Sequence, residues 1–411
     1  MNLNFCARHF GALRLPFKSA SLRRSMRCLM LAAAMFAAAS LANAALLKDV
    51  PVTLRQPDGT LVQCFATGDE YQNFLHDQEG YVAVQNPKTK SWVYAQEIDG
   101  RIRPTEYLIG HGRPDLPGLS KGKALLPPGS PTRFYDSKSA RPANASGNPR
   151  LANSNPPTNS SAVFMAAPNK GTLNNITIFV RFADDPEFTH PLSDYSSLFN
   201  ASGDGVVSLY SYFKEASYNQ LSVSTSFYPT AGAKTASYVD NHPRGFYQVY
   251  DAGANPLGYR NAEDYVAREH ALLDRAVAAV GDQVPSSINV DINGDGFIDN
   301  VCLIIRGNPD GWSSLLWPHQ SVDSGSTAAI DGSRVGAYNI QIESLLLPDF
   351  VGVLCHEFFH SLGAPDLYRY SQEGSQDRVG DWFSSVGPWD LMADTPKVPQ
   401  HMSAYLKYRY G

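Results

Sequence analysis

Charged residues are scarce in this sequence, and neither sign dominates. Of its 411 residues only 18% are Asp, Glu, Lys or Arg, and the formal net charge is -5. A chain that binds nucleic acid by neutralising phosphates carries a clear excess of basic residues, so nucleic-acid binding is not expected. After residue 45, no apolar run approaches the roughly 20 residues of a membrane-spanning helix. We therefore expect no membrane span in that part of the chain.

Cysteine is also rare, with five residues in all. Two of them fall before residue 45, which leaves Cys64, Cys302 and Cys355. Three cysteines are too few to hold a scaffold together by disulfides. The alternative is that all three are small, buried, apolar side chains of the core. The hydrophobic content of 43% excludes a wholly disordered chain, and the length is typical of two or three domains.

Residues 1–44 have the layout of a secretory signal peptide. A cationic stretch ending at Arg27 precedes the apolar run Cys28–Leu41, and an Ala-x-Ala site stands before Ala45. The alternatives are a buried helix or an uncleaved anchor, for which the run is short. We therefore expect export, either into the medium or into a periplasm.

Composition divides the rest of the chain into three parts. Residues 45–111 hold short β-rich runs, and GYVAV and SWVYA favour a hairpin within a small β-rich unit. Residues 112–168 are rich in Pro, Ser, Asn and Gly, which predicts a flexible, protease-accessible linker. Residues 169–411 mix buried-strand patterns with helical ones, the latter over 208–218, over 262–280 and in VGVLCHEFFHSLG. This order predicts a mixed α/β domain.

The segment HEFFH, residues 356–360, is the strongest chemical motif. On a helix, residues four apart share a face, so His356 and His360 can bind one metal ion. Zinc in such a site lowers the pKa of a bound water molecule and polarises a peptide carbonyl. Glu357 is placed to act as the general base. The motif predicts a zinc peptidase centre.

Asp366 follows His356 by ten residues, in the arrangement H-E-x-x-H-x-x-G-x-x-D. This is the metzincin spacing with aspartate in place of the usual third histidine, and a turn at Gly363 would bring it back to the metal. A carboxylate is a competent third zinc ligand. The alternative is a cap for the next segment. Other candidates for the third ligand are Glu373, His319 and His401.

Met392 lies in VGPWDLM, 26 residues after Asp366. In metzincins a methionine in such a turn forms an apolar floor beneath the metal. The alternative is an ordinary core methionine. With the ligand spacing, this segment predicts an α/β (α+β) metzincin-like zinc peptidase domain preceded by a small β-rich domain.

A second cluster of oxygen-bearing residues follows the pattern of a calcium loop. DINGDGFID places side-chain oxygens at positions 1, 3, 5 and 9 and glycine at position 6, and the backbone carbonyl of position 7 would add a ligand. The residues are Asp291, Asn293, Asp295, Phe297 and Asp299. Position 12 is Cys302 instead of glutamate, and an Asx-rich turn is the alternative, so we expect a structural calcium site outside the EF-hand family.

The segment HEFFHSLGAPDLY resembles the active-site stretch of the immune inhibitor A family of secreted bacterial metalloproteases. Further segments that resemble that family are VDINGDGFIDNVCLIIRG, LLWPH, VGPWDLM and PQHMSAYLKY. Residues 50–110 resemble its propeptide. The resemblance implies a zymogen with a propeptide over 45–111 and a catalytic domain over 169–411. It also implies zinc at the HExxH helix, often calcium, and protein or peptide substrates.

Two features depart from the family pattern. Phe359 stands where the family usually has glycine before the second histidine. The chain ends at Gly411, where relatives commonly continue into further β-rich domains, so we expect a truncated or minimal architecture.

A zymogen needs a device that keeps its metal inactive. A thiolate is a strong zinc ligand that can displace the catalytic water, which makes Cys64 a candidate until the linker is cut. The carboxylate of Asp69 is its rival. The alternative is that Cys64 belongs to the core of the β-rich unit and the propeptide blocks the cleft sterically.

Two other functions fit parts of the sequence. One is a non-catalytic binding or adhesion module on a decayed protease fold, and the other is a different zinc hydrolase with the same motif. Intact His356, Glu357 and His360 argue against decay, because nothing structural requires that glutamate.

Overall fold

A computed structural model describes residues 46–69, 73–86, 88–98, 101–112, 114, 117–122, 167–253, 255–310, 315–323, 325–347, 351–368 and 386–410. The predicted signal peptide, most of the predicted linker and Glu373 lie outside the described residues.

The first described part of the chain is a six-stranded antiparallel sheet in sequential order. Its strands are β1 (Leu47–Arg55), β2 (Leu61–Gly68), β3 (Asn73–His76), β4 (Val82–Gln85), β5 (Trp92–Ile98) and β6 (Arg101–Leu108). Burial alternates along β1, where Val52 and Leu54 are buried and Thr53 is exposed, so one face of the sheet packs. The predicted hairpin is confirmed, because β4 pairs antiparallel with β5.

This N-terminal sheet extends further along the chain than composition predicts. Leu119 forms a bridge to Gln96, and Lys121 forms one to Tyr81. The predicted linker start at residue 112 is therefore too early by about ten residues. The error arises because a Gly- and Pro-rich segment can still add backbone hydrogen bonds to a sheet.

The second sheet has the order β11-β14-β10-β7-β8, with β9 beside β7. Its strands are β7 (Gly171–Arg181), β8 (Leu221–Tyr228), β9 (Tyr238–Val239), β10 (Val301–Ile305), β11 (His319–Val322) and β14 (Ala337–Ile342). The pairings are parallel except that of β11, which runs antiparallel to β14. The two-residue strands β12 (Ala329–Ile330) and β13 (Ser333–Arg334) pair separately.

The helices are α1 (Leu192–Asn200), α2 (Leu209–Ala216), α3 (Ala262–Val280), α4 (Glu343–Leu346), α5 (Val351–Ser361) and α6 (Ala404–Tyr410). The three helices predicted from sequence are confirmed as α2, α3 and α5. Helices cover both faces of the second sheet. In β10, Leu303 packs in the cluster that contains α3, and Ile304 in the cluster that contains α1, α2 and α5. No helix within the described ranges combines the length and apolarity needed to cross a bilayer.

Helix α5 is buried along its whole length. The residues before its HExxH motif are apolar, as expected for a helix that is buried on all sides. Gly352 allows a close approach, because a Cβ added there would lie 1.9 Å from the carbonyl oxygen of Pro396. Gly363 has φ +97° and ends the helical segment.

The N-terminal sheet packs directly on the second sheet's unit. The hydroxyl of Thr395 donates to the carbonyl of Leu46 at 2.8 Å, and β1 lies against α4. Leu47 and Leu345, from the two sides, belong to one continuous apolar cluster. The two parts therefore share a hydrophobic core at their contact.

Candidate metal centre

The structure brings His356, His360 and Asp366 together. The two histidine Nε2 atoms are 3.0 Å apart, and Asp366 Oδ1 lies 3.0 Å from that of His356 and 3.4 Å from that of His360. Ligands about 2.0–2.1 Å from a tetrahedral zinc ion are about 3.3 Å from one another. In the described part of the chain, this is the one group of three or more His, Cys, Asp or Glu side chains with ligand atoms within 4.8 Å. Its spacing suits one ion.

Both imidazoles are oriented by backbone carbonyls. His356 Nδ1 donates to Leu391 O at 2.9 Å, and His360 Nδ1 donates to Ala364 O at 2.7 Å. A carbonyl can only accept, so each ring carries a proton on Nδ1 and turns Nε2 towards the centre, where it can bind a metal ion once it has no proton of its own.

The turn after α5 returns Asp366 to the histidines. The N–H of Gly363 donates to His360 O at 2.8 Å, which closes the last turn of the helix. Beyond Asp366, the N–H of Leu367 donates to Met392 O at 2.7 Å. The segment is thereby tied to the turn that contains Met392, and the carboxylate is placed beside the donor nitrogens.

The buried, negatively charged Asp366 carboxylate favours positive charge at this centre. Burial alone would disfavour both charged forms. The hydrogen bond and charge of Asp366 nevertheless raise the pKa of His356 to about 9. Burial also opposes the charge of Asp366, yet His360 and His356 hold the pKa of that carboxyl well below its usual range. A metal ion bound between the three side chains would supply the positive charge that stabilises the ionised Asp366.

The donor set fits catalytic zinc. Two imidazole nitrogens and one carboxylate oxygen are a known three-ligand set that leaves a fourth position for water. Glu357 is fully buried and adjacent to His356 in the chain. Its negative charge contributes to raising the pKa of His356 and of His319 in β11.

The other candidates for the third ligand do not join the centre. His319 Nε2 lies 3.0 Å from Glu269 Oε1, and its Nδ1 donates to Trp317 O. His401 lies 3.1 Å from Glu215 Oε1, with more than half of its side chain exposed. Glu373 falls outside the described residues.

Met392 is fully buried in the apolar cluster that contains Phe358 of α5. Its turn is organised by Asp390, whose Oδ1 accepts from Met392 N at 2.8 Å and whose Oδ2 accepts from Ser403 N at 2.6 Å. Sequence reasoning missed the role of Asp390, although a carboxylate two residues before Met392 in VGPWDLM was a visible signal. It also missed the orienting carbonyls of Leu391 and Ala364, which carry no side-chain signal.

The predicted calcium loop forms a tight turn in which carboxylates accept backbone N–H groups. Asp291 accepts from Gly294, Asp295 and Gly296, and Asp299 accepts from Ile292. Burial, with the charges of Asp291 and Asp295, raises the pKa of Asp299 to about 7. The three aspartates do not form a group within 4.8 Å. These contacts are those of an Asx-rich turn, and calcium binding stays a prediction.

The structure contradicts a metal-ligand role for Cys64 in this conformation. Cys64 lies in β2 opposite Val52, is fully buried and packs in the core of the N-terminal sheet. Burial, with the charge of Asp77, raises the pKa of its thiol to about 12. A buried thiol without a nearby cation stays protonated. Cys302 and Cys355 are likewise buried and free, so they do not pair.

Asp69, the rival latency candidate, is also buried, just beyond the end of β2. Its backbone carbonyl accepts from Asn73 Nδ2 at 3.0 Å. It is absent from the group of His356, His360 and Asp366. Phe359 is buried in the apolar cluster that contains Leu406, and its ring makes a T-shaped contact with that of Tyr410.

Comparison with known proteins identifies no relatives: no protein-family model and no curated protein matches the chain. The resemblance to the immune inhibitor A family therefore stays a prediction, carried by the motifs quoted above.

Proposed function

We propose that this chain is an exported zinc endopeptidase of metzincin-like fold, made as a zymogen. The observation that carries the proposal is the convergence of His356 Nε2, His360 Nε2 and Asp366 Oδ1 in a buried site beside Glu357. Export is inferred from the pattern of residues 1–44, and no nucleic acid is expected as a partner.

His356, His360 and Asp366 would hold the zinc ion. When bound, the ion lowers the pKa of a water molecule and polarises the scissile carbonyl. Glu357 would act as the general base and then the general acid, accepting a proton from the attacking water and donating it to the leaving amine nitrogen. Leu391 and Ala364 keep the histidine donor atoms aimed at the centre, and Met392 packs in the apolar cluster that contains Phe358 of α5.

An extended peptide is the substrate class that this architecture suits. In the described residues, β11 is the last strand of the sheet, and it packs beside α5. An edge strand can pair with a peptide backbone through main-chain hydrogen bonds, whatever the peptide's side chains. This arrangement would hold a scissile bond near Glu357 and favours protein or peptide substrates over small molecules.

The burial of the centre supports synthesis as an inactive precursor. His356 and Glu357 are fully buried and His360 is 5% exposed in the chain that still carries its N-terminal sheet. A peptide cannot reach such donors until part of the protein moves. We propose that the sheet, docked through Leu46 and Leu47, is the propeptide, and that it acts sterically.

Casein cleavage tests the proposal. The precursor is nicked by a helper protease in the linker, the helper is inactivated, and cleavage is measured with and without a zinc chelator. We expect activity that is lost on chelation and restored by zinc. Glu357→Gln, purified and nicked in the same way, is the matched control. It should bind zinc and lose at least about 10²–10⁴-fold in turnover.

Two outcomes would overturn the proposal. Wild-type turnover by Glu357→Gln would remove the general base from the mechanism. A nicked wild-type protein that binds zinc at His356 and His360 but cleaves no protein substrate would favour the non-catalytic binding module.

A further inference from the structure

Ser361 directly follows the second metal-donor histidine and is held at two points. Its hydroxyl donates to Asn300 Oδ1 at 2.6 Å, and its backbone carbonyl accepts from Ala167 N at 2.8 Å. Ser361 is the last residue of α5, where helix carbonyls lack partners within the helix. The end of α5 that carries His360 is thus tied to the sheet and to the segment that precedes β7.

Asn300 is itself fixed by a row of polar side chains that crosses the sheet. Its Nδ2 donates to Asn175 Oδ1 at 2.6 Å, and its Oδ1 also accepts from Asn339 Nδ2 at 3.2 Å. Asn175 in turn donates to Thr225 Oγ1 at 3.1 Å. All of these residues are at most 7% exposed. The row therefore runs through the interior, from β8 through β7 to β14, with Asn300 just before β10.

Packing alone does not explain this row. Apolar side chains could fill the same positions, whereas each buried amide must have its hydrogen-bonding groups matched or it destabilises the fold. Asn175 and Asn300 each bond through both the oxygen and the nitrogen of the amide, whereas Asn339 Oδ1 has no partner in the described part of the chain. The path that fixes geometry therefore runs from Thr225 through these two residues to Ser361, because each hydrogen bond has a narrow range of length and angle. What the row fixes outside the sheet is Ser361, one residue from His360.

We propose that Asn300 and Ser361 are positioning residues for the metal centre. They touch neither metal nor substrate. They hold the C-terminal end of α5 against the sheet, so that His360 Nε2 stays at its distance from His356 Nε2 and Asp366. Metal sites bind tightly when the supporting shell keeps the ligands in place without the metal. This inference rests on the proposed zinc site.

Zinc affinity of the full chain, measured by competition with a chelator of known affinity, tests the role. Ser361→Ala should weaken zinc binding about tenfold or more, the lower end of what loss of an outer-shell partner costs. Ser208→Ala is the matched control. Ser208 is also fully buried, and its hydroxyl donates to Ala201 O at 2.6 Å at the start of α2. It should lower the melting temperature and leave zinc affinity within about twofold of wild type.

A second variant reaches the same residue without entering the buried row. Ala167→Pro removes the N–H that donates to Ser361 O, and the next residue is already proline. We expect zinc binding about threefold weaker or more, with Ala167→Gly, which keeps the N–H, as its control. This variant decides the question if Ser361→Ala does not fold.

The outcomes separate the two proposals. If wild type binds zinc while Ser361→Ala and Ala167→Pro both stay within twofold of it, the row stabilises the fold only and the inference is overturned. In that case the proposed function stands. If wild type binds no zinc at His356 and His360, the proposed function fails, and the positioning role fails with it.

Discussion

At the scale of single residues, each metal-donor histidine is fixed through its second nitrogen. Leu391 O and Ala364 O accept from the Nδ1 atoms of His356 and His360. The HExxH motif does not itself include Asp366, yet Asp366 Oδ1 lies within 3.4 Å of the Nε2 atoms of both histidines. Replacing Asp366 is therefore the simplest test of the proposed set of three ligands.

Asp366→Ala should weaken zinc binding by more than the roughly 10–100-fold that loss of an outer-shell partner costs, because a ligand atom itself is lost. Zinc titration of the full chain measures it, with the exposed Asp204→Ala as control. Unchanged affinity would contradict the assignment and point to a ligand outside the described residues, such as Glu373.

At the scale of secondary-structure elements, one buried ion pair connects α3 to the edge strand β11. Glu269 accepts a hydrogen bond from Tyr338 of β14 and lies 3.0 Å from His319 Nε2. Burial opposes both charges. His319 nevertheless lowers the pKa of Glu269 below 4.5, and Glu269 raises the pKa of His319 above 6.5. The pair stabilises the position of the strand beside α5.

Glu269→Gln should destabilise the protein by about 3–5 kcal/mol, since it leaves the charge of the buried His319 uncompensated. Because folding lowers the pKa of Glu269, its carboxylate stabilises the folded protein above pH 4.5. This stabilisation is lost as the pH falls through the lowered pKa. Because folding raises the pKa of His319, its imidazolium stabilises the folded protein fully below pH 6.5. This stabilisation is lost as the pH rises through the raised pKa.

Melting curves across pH measure this effect. The difference between wild type and Glu269→Gln should be largest between pH 4.5 and 6.5. His270→Gln, which removes a partly exposed pair with Asp323, should cost under about 1 kcal/mol. A difference that does not vary with pH would mean that the pair is not charged.

The loop at 291–299 is the second element with a direct test. If it binds calcium, saturation at about 100 times the dissociation constant should add about 3 kcal/mol to stability. Melting temperature with and without calcium measures this, with zinc content unchanged and Asp295→Asn reducing the shift. A melting curve that calcium leaves in place would assign the loop to the Asx-turn alternative.

Elements with strong local patterns were predictable. The pattern of residues 262–280 predicted α3, and HExxH with its ten-residue offset predicted that His356, His360 and Asp366 come together. What could not be predicted depends on tertiary contacts. Cys64 was a candidate latency ligand because a thiolate binds zinc strongly, and only the pairing of β2 with β1 shows that it lies inside a core. The row around Asn300 joins residues up to 186 positions apart, which no local pattern reveals.

At the scale of the whole molecule, the N-terminal sheet and the unit built on the second sheet share one continuous core at Leu47 and Leu345. The sheet packs beside α4, and the loop after Met392 donates a hydrogen bond to Leu46. Docking of this kind needs no ligand exchange at the metal. It predicts latency by exclusion of substrate.

Cys64→Ser should therefore not raise the peptidase activity of the intact precursor, although it places a hydroxyl in an apolar core and lowers stability. Cutting the linker should raise activity in both wild type and variant. Casein cleavage before and after limited proteolysis measures this, and Asp69→Asn is assayed in parallel. A Cys64→Ser precursor as active as cut wild type would restore the thiolate-ligand mechanism.

The central claim is that zinc is held by His356, His360 and Asp366. A crystal of the zinc-saturated full chain, with anomalous data on both sides of the zinc absorption edge, tests it most directly. We expect one zinc peak within bonding distance, about 2.0–2.2 Å, of His356 Nε2, His360 Nε2 and an Asp366 oxygen. A protein that takes up no zinc, or a zinc peak away from these three atoms, would contradict it.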